Sequence, residues 1–84
     1  MSKHAKLLFQ ILRGLSDANI EFDELCGLLK YLGFELRVRG SHHIFTFDGI
    51  PVQINLQRDG AKAKPYQVRQ VRAVVIEYKL GKEA

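Results

Sequence analysis

The sequence predicts an α+β fold in the order α-α-β-β-β-α, a three-stranded antiparallel sheet with helices stacked on its apolar face. Three observations carry this expectation. Apolar residues recur at helical spacing up to Gly33, alternate with polar ones from Phe34 to Gln57, and return to helical spacing after Pro65.

The first helix is expected over Lys3 to Leu15, with Leu8, Ile11, Leu12 and Leu15 as its apolar stripe, Ser2 as N-cap and an end near Gly14. The second carries Phe22, Leu25, Cys26, Leu29 and Leu32, opens on Glu21 and Glu24 at capping-box spacing, and stops at Gly33. In the first strand Phe34, Leu36 and Val38 face the core, and Glu35, Arg37 and Arg39 face away. After a bend at Gly40-Ser41, Phe45 and Phe47 point inward and Ile44 and Thr46 outward. Asp48-Gly49 signals a tight hairpin of type I′. Ile50, Val52, Ile54 and Leu56 then form the inner face of the third strand. Arg58 to Lys64 reads as an exposed loop, and Pro65 opens a last helix whose stripe is Val68, Val71, Val75 and Tyr78, running to about Leu80.

Eighty-four residues suffice for one domain, spanning 1–84, and exclude large multi-site enzymes. The longest apolar run, Ala73 to Ile76, is far short of the ~20 residues of a membrane span, and the beginning lacks a secretory segment, so a cytoplasmic location without membrane contact is expected. Cys26 alone makes neither an internal disulfide nor a multi-cysteine zinc cage. Residues 1–33 hold four bases and four acids, residues 34–84 nine and five, so the whole net charge of +4 arises after Gly33. Arg37 to Arg72 holds seven bases against Asp48 and Asp59, a segment suited to an anionic partner.

Among the side chains, only histidine titrates near neutrality without perturbation. His4 falls in the first helical turn near the terminus, where a solvated role is expected. Strand alternation puts His43 on the core side and His42 on the outer side, near Arg37 and Arg39. An imidazole beside fixed cations suits phosphodiester chemistry, because the cations hold the phosphate and its developing charge while the ring moves a proton. A hydrogen-bonded turn pair of histidines is the competing reading. Lys62, Lys64 and Arg69, a basic loop leading into a helix N-terminus, are further phosphate-binding candidates, with a solvated face as the alternative. Gly40 would allow the bend and Ser41 would hydrogen-bond the imidazole. Cys26 lies in an apolar stripe and reads as a packing residue. Paired carboxylates, metal-ligand spacing and a phosphate-binding glycine loop are absent from the sequence, so no metal and no cofactor is expected.

The run Glu24-Leu25-Cys26-Gly27-Leu28-Leu29-Lys30-Tyr31-Leu32-Gly33-Phe34, followed by Gly40-Ser41-His42-His43-Ile44-Phe45, a lysine-containing loop and Pro65 opening a terminal helix, resembles the HicA toxins of bacterial type II toxin-antitoxin systems. The likeness covers about Ile20 to Leu80, and the first helix stands outside it. It implies a fold like the double-stranded-RNA-binding domain, α-β-β-β-α with one added N-terminal helix. It also implies a metal-independent endoribonuclease, an mRNA interferase, whose catalytic histidine falls on His42. The partners implied are mRNA as substrate and a HicB-type antitoxin that covers the active surface, with DNA met only through the antitoxin complex. Where many members carry further histidines, this chain has Phe47 and Leu56-Gln57-Arg58, so His42 is expected to be the single catalytic histidine unless His43 serves as a second. A non-catalytic RNA-binding module of the same fold is the alternative reading.

Overall fold

Helix α1 (Lys3–Arg13) starts where Ser2 Oγ accepts from the Ala5 N–H at 3.0 Å and stops at Gly14, whose left-handed φ of 72° lets its N–H return to the Ile11 carbonyl. The computed structural model describes residues 2–81. A short 3₁₀ turn (Asp17–Asn19) leads into α2 (Phe22–Tyr31). The strands β1 (Glu35–Arg39), β2 (His42–Phe47) and β3 (Ile50–Leu56) form one antiparallel sheet in the order β1-β2-β3. A two-stranded hairpin, β4 (Arg58–Asp59) and β5 (Lys62–Ala63), precedes α3 (Pro65–Glu77). The chain is thus a mixed α+β fold with three helices and a three-stranded antiparallel sheet.

One apolar core joins the layers: Phe45, Ile54 and Leu56 of the sheet meet Leu25, Leu28 and Leu29 of α2 and Val68 and Val71 of α3. Helix α1 adds Leu7, Leu8 and Ile11. The expected α1 stripe is therefore rotated: Leu7 is buried, and Leu15 is 76% exposed because the helix has ended before it. In α2, Leu28 is fully buried while Cys26 sits half-buried at the flank. The expected inner faces hold at Phe34, Phe45, Ile54 and Leu56 but fail at the rims, where Val38 is 54% exposed. Val52 is exposed for another reason. The pairing shifts from Phe45–Ile54 to Phe47–Ile50, so β3 bulges around Pro51 and Val52, where a residue without an N–H costs no ladder bond.

Four further expectations are corrected. The Asp48-Gly49 turn has a positive φ at Gly49 alone, whereas type I′ needs it at both central residues. The segment after Arg58 is not a loop: β4 and β5 pair with each other and dock on the start of α2, through Phe22 N–H to the Ala61 carbonyl and Ala63 N–H to the Ile20 carbonyl. Glu21 is the N-cap residue of α2, yet its carboxylate meets Lys62 of β5 at 3.1 Å instead of a helix N–H. Helix α3 ends at Glu77, three residues before expected, in a Schellman turn with the Leu80 N–H on the Val75 carbonyl and Lys79 at φ 54°.

Helix α3 is bolted to the free edge of β3 by two amides. Gln67 is 1% exposed, and with its amide oriented as the surrounding donors and acceptors require, its side chain pairs with the backbone of Gln57, Oε1 accepting from the N–H at 3.0 Å and Nε2 donating to the carbonyl at 3.2 Å. One turn on, Gln70 donates to the Gln53 carbonyl at 3.5 Å. On the other side, Arg72 grips both oxygens of Asp17 at 2.9 and 3.1 Å and also donates to the Ile11 carbonyl, tying α3 to the end of α1.

Gly33 joins α2 to the sheet at φ 109°, and a Cβ there would lie 2.9 Å from Phe47 Cε2. Gly33→Ala should therefore combine left-handed strain with displacement of a ring, at a cost of about 2 kcal/mol. Urea unfolding checks this, and an unchanged midpoint contradicts it.

Candidate functional site

Helices cover one side of the sheet and leave the other open. In strict alternation the open face presents Glu35, Arg37 and Arg39 from β1, His42, Ile44 and Thr46 from β2, and Gln53 and Asn55 from β3. Arg37 and Arg39 are exposed, as is His42. His42 stands directly across the ladder from Arg39, and Ile44 across from Arg37. Facing residues in such a ladder have Cα atoms about 5 Å apart, so the imidazole and a guanidinium share one patch. A shallow depression of about 260 Å³ borders it, lined by Arg37, Arg39, Ile44, Thr46 and Gln53 among others.

The hairpin turn holds His42 in place. Gly40 has φ 59° with open space where a Cβ would be, a left-handed conformation that glycine adopts without strain. Ser41 does not meet the imidazole as expected; its Oγ accepts from Gln57 Nε2 at 3.0 Å. Asn55 is the partner instead, with its Oδ1 3.0 Å from His42 Nδ1. Since that carbonyl only accepts, Nδ1 carries the hydrogen and the neutral ring keeps its lone pair on Nε2. Asn55 was missed in the sequence because a polar residue on the outer face of a strand looks the same whether solvated or bonded across the sheet. The signal was positional: it is the β3 residue opposite Ile44, one step from His42.

His43 points inward as expected, edge-on to Phe22 at 5.0 Å between centroids, with Nδ1 buried and unpartnered. His4 stacks on Tyr31 at 4.7 Å, between α1 and α2. Neither joins the open face.

The basic candidates divide. Lys62 is ion-paired with Glu21, Arg58 pairs with Asp23 and lies over the Phe22 ring, and Arg72 holds Asp17. Each of these acids comes from the first 33 residues, so the evenly charged beginning neutralises part of the basic remainder. Arg37, Arg39, Lys64 and Arg69 have no ion-pair partner among the described residues. Lys64 precedes the first turn of α3. That turn reaches the hairpin through Gln67, Gln57 and Ser41. Arg69 lies on the outward side of α3, two residues from the buried Gln67 and away from β3. The fold thus gathers His42, Arg37 and Arg39 and does not bring Lys62 or Arg69 to them.

Among the described residues, no three His, Cys, Asp or Glu side chains cluster as metal ligands, and no helix is long and apolar enough to cross a membrane. Burial, helped by Asp23 and opposed by Arg58 and Lys30, raises the Cys26 thiol from 9.0 to about 11. The folded protein then keeps a proton that the unfolded chain gives up above pH 9.0, so this group's stabilising contribution is complete below that and falls away up to about 11. Thiol titration at pH 8 should be slow for the folded protein and fast in urea; equal rates contradict this.

Comparison with protein-family models, curated proteins and solved structures finds no match for this chain. The chemistry of the open face is therefore read from its residues.

Proposed function

We propose that this chain is an endoribonuclease of the HicA kind, the toxin of a type II toxin-antitoxin pair, with a fold like the double-stranded-RNA-binding domain. The observation that carries the reading is His42, exposed on the uncovered sheet face, directly across from Arg39 and bonded through Nδ1 to Asn55. With Nδ1 as donor, Nε2 is the base. It takes the proton of a ribose 2′-hydroxyl, the 2′-oxygen attacks the adjacent phosphorus, and the 5′-oxygen leaves and takes a proton from water. The products are a 2′,3′-cyclic phosphate and a 5′-hydroxyl. Arg39 and Arg37 hold the non-bridging oxygens, whose charge grows as the new bond forms. No step calls for a metal. Lys64, ahead of α3, extends the phosphate track from the same end of the sheet. The antitoxin of such a pair is an acidic HicB-type protein that covers the open face, and DNA is met only through that complex; the setting is the cytoplasm.

The test is incubation of the purified protein with a defined, end-labelled RNA in excess chelator. Cleavage that leaves cyclic-phosphate ends supports the proposal. RNA that is bound but intact makes the chain a non-catalytic RNA-binding module, and RNA that is not bound even at low salt makes the basic face a docking surface for an acidic protein.

A further inference from the structure

Helix α1 has a second face. Opposite Leu7, Leu8 and Ile11, which it gives to the core, it presents Lys6, Phe9, Gln10 and Arg13 at i, i+3, i+4 and i+7. Phe9 is 53% exposed, and Leu15 folds beside it after Gly14. Together with Ser16 these side chains line a groove of about 270 Å³, larger than any one aliphatic side chain. The Arg13 guanidinium lies 5.8 Å from the centre of the Phe9 ring, so the apolar floor is walled by a cation. Residues 3–13 include Lys3, Lys6 and Arg13 and no acid.

We infer that this groove is a docking site for an acidic amphipathic helix of another protein. A second copy of the chain fits poorly, since a two-fold contact would set one acid-free cationic helix against its equal. Nucleic acid would answer the charge but leave the apolar floor unused. A lipid surface would need an apolar face turned fully outward; here the strongest apolar stripe is committed to the core and the outer one is concave. The spacing specifies the ligand. Lys6 and Arg13 stand seven residues apart, about 10.5 Å along the axis, with Phe9 between them. A helix laid alongside answers with carboxylates seven residues apart and one large apolar side chain three or four residues after the first, entering between Phe9 and Leu15. The inference is independent of the reading of His42, because α1 packs on α2 and α3 and the groove lies outside the open sheet face.

The test uses the full chain, isotopically labelled, titrated with a capped synthetic helical peptide carrying two glutamates seven residues apart and a leucine four residues after the first. Saturable amide shifts centred on Lys6, Phe9, Gln10, Arg13 and Leu15 are expected. Phe9→Ser and Arg13→Glu, both at exposed positions, should each weaken binding at least tenfold with circular dichroism unchanged. The inference is overturned if no saturable shifts occur, if they fall on Arg37 and Arg39 instead, or if exchanging the peptide's glutamates for glutamines leaves affinity unaltered. Two parallel measurements also decide against it: a sedimenting dimer that Phe9→Ser abolishes makes the occupant a second copy, and binding to phosphatidylglycerol vesicles that the same variant abolishes makes it a lipid surface.

Discussion

His42→Ala is expected to lower RNA cleavage by about 10²- to 10⁴-fold while leaving the fold unchanged, because one positioned base contributes that much and the ring is solvent-exposed. The companion changes at Asn55 separate chemistry from packing. Asn55→Asp keeps an acceptor for Nδ1–H and should retain substantial cleavage, with its pH profile displaced upward, since a carboxylate favours the charged imidazole. Asn55→Leu removes the acceptor, frees the ring to rotate and exchange tautomers, and should cost about 10²-fold, the scale of a small misplacement of a reacting group. Binding of RNA should survive all three, being carried by Arg37 and Arg39, and should weaken when those two are changed to Gln. A folded His42→Ala protein that cuts RNA at the parental rate ends the enzymatic proposal. Equal rates for Asn55→Leu and the parent end the assignment of Nε2 as base.

Gln67→Ala should be among the most destabilising single changes in the chain, by about 2–4 kcal/mol. Its amide satisfies both backbone groups of Gln57 in a place that solvent barely reaches, and orphaning a buried donor and acceptor costs about 1–3 kcal/mol each, less whatever water can enter the space left behind. Gln67→Glu is the informative partner. The carboxylate can still accept from the Gln57 N–H but faces the Gln57 carbonyl with no hydrogen to give, so it should be destabilising at neutral pH and recover as acid protonates it. Urea unfolding at two pH values measures both. Because Gln57 also donates to Ser41 Oγ, either change should loosen the hairpin that carries His42 and lower cleavage as well. A Gln67→Ala midpoint within error of the parent would show that the Gln67 amide adds nothing to the hold of α3 on β3.

Much of this molecule was legible from residue spacing. Among the described residues, the two periods located the three α-helices and all three long strands but not the 3₁₀ turn at Asp17–Asn19, and Ser2, Gly14, Gly33 and Pro65 marked helix ends because their roles rest on local backbone chemistry. What escaped was decided at long range. Leu15 continues the α1 stripe on paper, but Gly14 turns the chain before it. Val52 alternates correctly yet sits in a bulge whose position depends on how β2 meets β3. The hairpin at Arg58–Ala63 has no apolar alternation and is held by main-chain bonds to residues 20–22 and ion pairs to Glu21 and Asp23, some forty residues earlier in sequence. The outward placement of His42 beside Arg39 followed from alternation and a two-residue bend. Its bond to Asn55 needed the third strand's register, which alternation does not supply.

The glutamines of α3 also bear on self-association. A strand at the rim of a sheet invites another chain to add itself, and repetition of that step builds polymers. On the β3 side, the main chain at residues 53 and 57 is already spoken for by Gln70 and Gln67. That leaves β1 as the rim a newcomer could extend, and its Glu35, Arg37 and Arg39 would have to lie beside those of any identical strand added in register. A newcomer at β1 would thus meet like charges at Arg37 and Arg39, while losing Gln67 would return the main chain of Gln57 to the open rim.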